Sequence, residues 1–416
     1  MSRGLGDVYK RQILGIKSLI VFFILCISQS LSAISINDMI NPEGGSVIYL
    51  LYDGSQWKYD HPKQREEPIN YKPFSGEIIG NIPDNSKVAQ ISVKTLSKTE
   101  LVFNNASICD LRIEAGSILV LKGNFTATGF DNSGILEIPE GQINITKGSV
   151  NRSSLTIIGG YIQMKSEGVT SNAFLNTEDG ICIISGDAKI DVVSASELGN
   201  AIFNRGKFYI KEDAKVSCVG GCSNYSGEAS NPELGFFIEG GEFSSQGATN
   251  GESYNVVDGF YNVGNFIMTG GSVHFKAGSW TSDPTKSRFD AYGFECLANV
   301  QILGGTLYAE GPSDIDYSKG LGILTNCTFK VGEDAKVVLK GGDRALLSTG
   351  LHIVENIDWD VKGAIITQGG CESQCSYGIN YETMYVIPTL KYLPERKILA
   401  YGETAAFGCD YFLNNG

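Results

Sequence analysis

Residues 155–164 read LTIIGGYIQM, and the same design returns as FFIEGGEFSS at 236, FIMTGGSVHF at 266 and VQILGGTLYA at 300. Apolar residues alternate, a glycine pair interrupts them, and the alternation resumes. Alternation at period two is the mark of a strand with one buried face. LRIEAGSILV at 111 and LEIPEGQINI at 136 keep the design with one glycine, and CIISGDAKIDV at 182, FYIKEDAKVSC at 208 and FKVGEDAKVVL at 329 carry a variant turn. The apolar residues before each turn are Ile113, Ile138, Ile157, Ile184, Ile210, Ile238, Met268, Ile302 and Val331, spaced by 19 to 34 residues, with Val361 continuing the series.

Repeats of this length, each two strands around a glycine bend, predict coils that stack like on like. The expected fold is all-β: a right-handed parallel β-helix solenoid of about nine or ten coils, each anchor packing on the one above and below. Glycine at the bend opens the left-handed region without a Cβ penalty. A β-propeller would use about 40 to 50 residues per blade, and a β-sandwich would not repeat so regularly. The expected layout is an N-terminal cap over 34–84, the β-helix over 85–370, and a C-terminal cap or truncated second domain over 371–416.

The beginning of the chain has a different origin. SRGLGDVYKRQ at 2–12 resembles the translation of a transposase-based sequencing adapter, so residues 1–12 are expected to be a metagenomic sequencing artefact. Lys17 and the run LIVFFILCI then form a signal peptide over 13–33, with small residues at Ser30 and Ser32 for cleavage. The run is too short for a span of about 20 residues, and no second one follows. Export to the extracellular space or the cell surface is the expectation, with no transmembrane segment in the mature chain.

The formal net charge is −13, and residues 1–33 hold four basic side chains and one acidic, leaving −16 on the remainder. Nucleic acid is excluded as a partner because phosphate binding needs a basic footprint. Ten cysteines include the close pairs Cys218/Cys222 and Cys371/Cys375. In an exported chain such pairs read as disulfide staples, and no histidine stands beside either to suggest zinc. Six sequons, at Asn105, Asn124, Asn144, Asn151, Asn224 and Asn326, would carry glycans in a eukaryotic host.

Coil length grows after the second strand, in the segments at 219–235, 246–259, 277–293 and 310–322. Insertions at one position of a stacked coil project from one side and commonly form the binding face. This face would present Tyr225, Tyr254, Trp280, Tyr292 and Tyr317 among Glu228, Glu252, Asp258, Asp283, Asp290, Asp314 and Asp316. Aromatic rings pair with sugar faces and carboxylates accept from hydroxyls. Asp314 and Asp316 form a short carboxylate corner for calcium, the expected cofactor.

The histidines, His61, His274 and His352, lack metal-ligand spacing, and neither a Gly-x-Ser-x-Gly elbow nor a phosphate loop occurs. Adjacent aspartates on a strand, Gly-His-Gly and Arg-Ile-Lys, the marks of polygalacturonases, are missing. Lys286 and Arg288 beside Asp283 and Asp290 imitate the calcium-and-base arrangement of a pectate-type lyase, which makes a polysaccharide lyase one alternative. A structural coat component is the other.

VQILGGTLYAEG and FIMTGGSVHFKAG resemble the repeats of secreted carbohydrate-binding β-helix proteins and adhesin-like surface proteins. The resemblance covers roughly residues 100 to 370. It implies export, calcium-assisted binding of acidic polysaccharide or a cell-surface glycan, and no catalysis; the cysteine content and the N-terminal cap depart from it.

Overall fold

The structure, a computed structural model, describes residues 32–63, 70–167, 172–195, 198–226, 233–252, 254–280, 291–312, 318–323, 328–340, 344–348, 358–361, 364–368, 383–386 and 399–401. Among these, helix is confined to the four-residue turns Ile36–Met39 and Tyr254–Val257. The rest is strand, turn and bend, organised in one large sheet of 22 strands, a second of 14, and a two-stranded ribbon. Long parallel runs dominate both large sheets, the arrangement that a stacked solenoid requires.

The anchors establish the register. Ile138, Ile157, Ile184, Ile210, Ile238, Met268, Ile302, Val331 and Val361 pair in succession through parallel strands of the 22-stranded sheet. Those from Ile138 to Val331 are buried. Parallel pairing places each anchor on the next, the one register shift in these pairings falling just past the anchor, between Ile302 and Gly304, so the core is one continuous column. A one-residue slip would turn every anchor outward.

Ile113 is the exception. It belongs to the 14-stranded sheet, opposite Asn132, while Ile135–Ile138 pairs instead with the strand Ile118–Ala127. Ala115-Gly116 bends the chain as the other glycine turns do, with Gly116 at φ +78°, but between two sheets rather than within one. Shared bend chemistry made that first repeat look in phase.

The glycine pairs have two separate jobs. The second glycine takes the left-handed region, φ +83° at Gly160 and +70° at Gly241. The first lies against the neighbouring coil, where a Cβ on Gly159 would fall 2.6 Å from the Pro139 carbonyl oxygen. In the variant turn a non-glycine, Glu212, takes φ +56°, and its carboxylate accepts from the Gly186 N–H at 2.6 Å.

Each repeat contains a third strand that alternation did not reveal. Phe130–Asn132, Ser149–Asn151, Phe174–Asn176, Ile202–Asn204, Cys222–Asn224 and Phe260–Asn262 stack in the 14-stranded sheet. Three residues are too few to show a period. Each ends in asparagine, and all six asparagines are fully buried. Asn132 donates to Asn151 at 2.9 Å, Asn151 to Asn176 at 2.8 Å, Asn176 to Asn204 at 2.8 Å, Asn204 to Asn224 at 2.9 Å and Asn224 to Asn262 at 2.8 Å. Backbone carbonyls of the following bend take further N–H donation, as from Asn176 to Gly180 at 3.1 Å and to Lys207 at 3.0 Å. Two of the six sequons, Asn151 and Asn224, are therefore rungs of this ladder, with their amides committed inside the core.

Beside the later rungs of the ladder the core becomes aromatic. Phe208 and Phe236 stack at 4.6 Å, Phe260 and Phe275 at 4.7 Å, and Phe236 meets Phe260 edge-on at 5.1 Å. Such pairs contribute about 0.5–1.5 kcal/mol beyond their area burial.

The stack starts inside the segment assigned to the cap. Val47–Tyr52 already pairs in parallel with Gln90–Thr95, and Glu77–Asn81 with Thr99–Ile108. Capping falls to an antiparallel arm, Trp57–Asp60 and Lys72–Phe74, which covers the edge of the 14-stranded sheet. Trp57 ties it down by donating from Nε1 to the Glu100 carbonyl at 2.7 Å. At the far end pairing turns antiparallel, with Thr383–Val386 on Ala364–Gln368 and Leu399–Tyr401 beyond.

The expected staple between Cys218 and Cys222 is corrected: both are buried thiols with no disulfide between them, and Cys109 and Cys182 are buried thiols too. Each fills a core position, Cys218 in register with Val192 and Cys222 with Ile202, on either side of the bend at Gly220 and Gly221. Burial pushes the Cys109 thiol up to about 12, and burial followed by the Cys222 thiol raises Cys218. Cys371 and Cys375 lie outside the described residues.

Asn176→Ala, at the middle of the ladder, removes one donor and one acceptor from buried neighbours and should cost about 3 kcal/mol in a urea titration. Asn124→Ala, which gives up only one exposed hydrogen bond from the Gln142 N–H, should cost no more than about 1 kcal/mol. Equal effects would mean that the ladder does not stabilise the stack.

Candidate functional site

The outer face of the 14-stranded sheet carries an apolar stripe between two polar margins. Register places Asp131, Val150, Leu175, Phe203, Ser223 and Tyr261 in one outward row. Ser223 is small, and Tyr225 folds over its position. The Tyr225 ring stacks on Phe203 at 5.0 Å and an interplanar angle of 21°, and leans on Tyr261 at 5.7 Å. The result is three consecutive rings continuing the aliphatic surface of Val150 and Leu175. From Asp131 to Tyr261 the row spans five strand spacings, about 24 Å.

Exposure differs sharply along it. Tyr225 is 40% exposed, Val150, Leu175 and Phe203 are half-buried, and Tyr261 is buried. Burial first, then the charges of the neighbouring tyrosine and Glu295, and the Tyr225 hydrogen bond, raise the Tyr261 phenol above its ordinary value. Its hydroxyl remains a neutral hydrogen-bonding group throughout the physiological range.

The margins supply polar groups at both sides. On one, Arg152 Nε pairs with Asp131 Oδ1 at 3.0 Å, and Arg205 pairs with Glu178. On the other stand Lys147, Asn172 and Asn200, the Asn200 N–H donating to Asn172 Oδ1 at 2.8 Å. The Asp131 end opens into a hollow of about 450 Å³ lined by Gln90, Asp110, Asp131, Lys147, Asn172 and Leu175. Asp110 accepts there from the Thr128 hydroxyl at 2.5 Å. The arrangement offers ring edges and aliphatic surface along the axis for apolar contact, with hydrogen-bonding groups on either margin.

Of the residues read from sequence, Tyr225 alone among the described residues is placed on this face with its ring exposed. Trp280 is half-buried and packs against a small separate core of Ala248, Val256, Val257, Ala277 and Ala291. That core is built from two successive long insertions, whose short strands Thr249–Gly251 and Ser279–Trp280 pair in parallel. Loop-like neighbours in sequence concealed a second hydrophobic cluster. Tyr292 is 5% exposed, and its N–H donates to the buried Asp258 carboxylate at 2.9 Å. Tyr254 opens the helical turn Tyr254–Val257, and its side chain is outside the described portion. Tyr317, Asp314, Asp316, Glu228, Asp283, Lys286, Arg288 and Asp290 lie outside the described residues, so the calcium corner and the lyase-like cluster do too.

The insertions also do not share one position. The segment after Asn224 follows the third strand, whereas those at 246–259 and 277–290 precede it, so the third strand is flanked from both sides. Phe203 and Tyr261 were missed because each is the middle residue of a three-residue strand. The available signal was the recurring Asn: an aromatic directly before it, at regular distance from the anchor, points outward.

His61 is structural. Its Nδ1 accepts from Asn41 N–H at 2.9 Å and its Nε2 meets the Gly45 carbonyl at 2.8 Å. No family model matches the chain, and neither the curated proteins nor the solved structures give a match. Among the described residues no helix is long and apolar enough to cross a membrane.

A raised phenol pKa means that the folded state holds its proton more tightly than the unfolded chain. The Tyr261 contribution is therefore complete below pH 10, the ordinary tyrosine value, and lost as pH rises beyond it. Tyr261→Phe should flatten the loss of stability above pH 10, measured by urea titrations at stepped pH. An unchanged slope would place the Tyr261 hydroxyl in water.

Proposed function

We propose that this chain is a secreted or surface-displayed, non-catalytic glycan-binding protein of adhesin-like character. It is built as a right-handed parallel β-helix of nine or ten coils. Right-handedness follows from the rule that parallel crossover connections take that hand in nearly all sheets. The observation that carries the functional reading is the stripe of Phe203, Tyr225 and Tyr261 between polar margins, one ring per coil.

Sugar rings have apolar faces and hydroxylated rims. An extended glycan laid along the axis would rest its apolar faces on the outward ring edges and the aliphatic side chains of the row, with hydroxyls reaching Arg152, Asp131, Asn172 and Lys147. Strand spacing of about 4.8 Å is comparable to the advance of one sugar along such a polymer. The net charge of −13 favours neutral polymers, or acidic ones bridged by calcium. Calcium at Asp314 and Asp316 belongs to this reading as an accessory group.

Affinity electrophoresis of the full chain through gels holding β-glucan, alginate or polygalacturonate tests it. Retardation by one polymer is expected, and Phe203→Ala with Tyr225→Ala should weaken it about tenfold, or about 1.4 kcal/mol. Trp280→Phe should leave it unchanged. A chelator that abolishes retardation supports the calcium role, and retention in chelator removes calcium from the reading. Migration unaffected by every polymer would overturn glycan binding and favour a structural coat component.

A further inference from the structure

The 22-stranded sheet holds a separate groove of about 490 Å³ on its outer face. It crosses the second strands of five consecutive coils, Tyr161–Ser166, Lys189–Ser194, Lys215–Val219, Glu242–Gln246 and Ser272–Lys276. One row in register reads Tyr161, Lys189, Lys215, Glu242, Ser272; the next reads Gln163, Asp191, Ser217, Ser244, His274. The groove exists because Ser217 and Ser244 are short. Tall side chains stand at either end: Tyr161 at one, and at the other His274, which meets Tyr308 edge-on at 4.7 Å.

Its chemistry is balanced. Tyr161 donates its hydroxyl to Asp191 at 2.6 Å, and Lys215 pairs with Glu242 at 2.7 Å. Lys189, exposed beside them, has no ion pair among the described residues. Burial lowers the His274 pKa, with Glu310 opposing, so a neutral imidazole closes the far end. Two ammonium groups face two carboxylates, and serine hydroxyls lie between. An anion would meet the carboxylates and a cation the lysines. A neutral polyhydroxylated ligand can use the donors and acceptors together.

We propose that this groove is a second saccharide site, one for a neutral glycan segment, and that the chain thereby bridges two glycan strands. Both sheets turn their inner faces to one shared core, so their outer faces point away from each other and one ligand strand cannot lie on both. Two sites on a rigid stack convert binding into cross-linking, in which polymer avidity exceeds either single affinity. The bridging rests on the stripe being a glycan site; the groove itself does not.

Cellohexaose titrated calorimetrically into the full chain measures the number of sites, and light scattering with soluble β-glucan measures bridging. Two equivalents per chain are expected. Asp191→Ala with Lys189→Ala should leave one, as should Phe203→Ala with Tyr225→Ala, and either pair should abolish glucan-dependent scattering. Ser244→Trp fills the groove without removing its charges and should match the first pair, which separates blocked binding from misfolding. A single equivalent lost only with the stripe variants would overturn the groove and leave the stripe standing. A single equivalent lost only with the groove variants would overturn bridging and the stripe reading instead. No heat in any titration would overturn both for this ligand class.

Discussion

Parallel stacking in strict register is the constraint on which everything else in this protein depends, and the buried asparagine column enforces it most sharply. An isoleucine column tolerates small displacements because dispersion is soft and undirected. A column of amides does not. Each rung must offer its oxygen to one neighbour and its N–H to the next, and a buried amide out of line costs about 1–3 kcal/mol. The apolar columns drive collapse; the asparagines select which of the collapsed registers survives.

That division of labour explains how the two outer faces are organised. Once register is locked, a side chain pointing outward in one coil has a defined neighbour in the next. Tyr225 can lean across the gap left by Ser223 only because Phe203 and Tyr261 stand one coil to either side. Ion pairs across coils use the same certainty: Lys211 meets Glu239 at 2.8 Å and Lys122 meets Glu100 at 2.8 Å. Exposed pairs of this kind contribute little stability. Their regularity nevertheless gives a chain of net charge −13 a surface on which Lys122, Lys207, Lys211 and Lys215 are each answered by a carboxylate of the adjoining coil.

The fold was largely legible in the sequence, because the anchors repeat and glycine marks the bends. Ile138 through Val361 pair as the pattern required. What stayed hidden was short or shared. The third strand has three residues per coil, less than two periods of alternation. Ile113 imitated an anchor because Ala115-Gly116 bends the chain between sheets with the same conformation. The site was less legible. Trp280 and Tyr292 sit in segments that look like solvated loop, yet two adjacent insertions pair with each other, so that Trp280 packs half-buried against a small core and Tyr292 is buried. Such a cluster has no local signature, since its residues meet only after the coils have stacked. Tyr225 was singled out by its neighbours in composition; placing Phe203 and Tyr261 beside it required knowing where the recurring asparagine points.

The burial of Asn151 and Asn224 bears on how the chain could be made. Oligosaccharide transfer in a eukaryotic secretory pathway acts on extended nascent polypeptide, before any coil has closed around its acceptor. A sugar tree on either residue would occupy the space of the amide partners above and below it, and the column would be interrupted within its own length. Coils on either side of the break would lose the register that each takes from the other. The fold thus acts as a filter on biosynthetic route: it is compatible with export that leaves these two acceptors bare, and it penalises any that reaches them first.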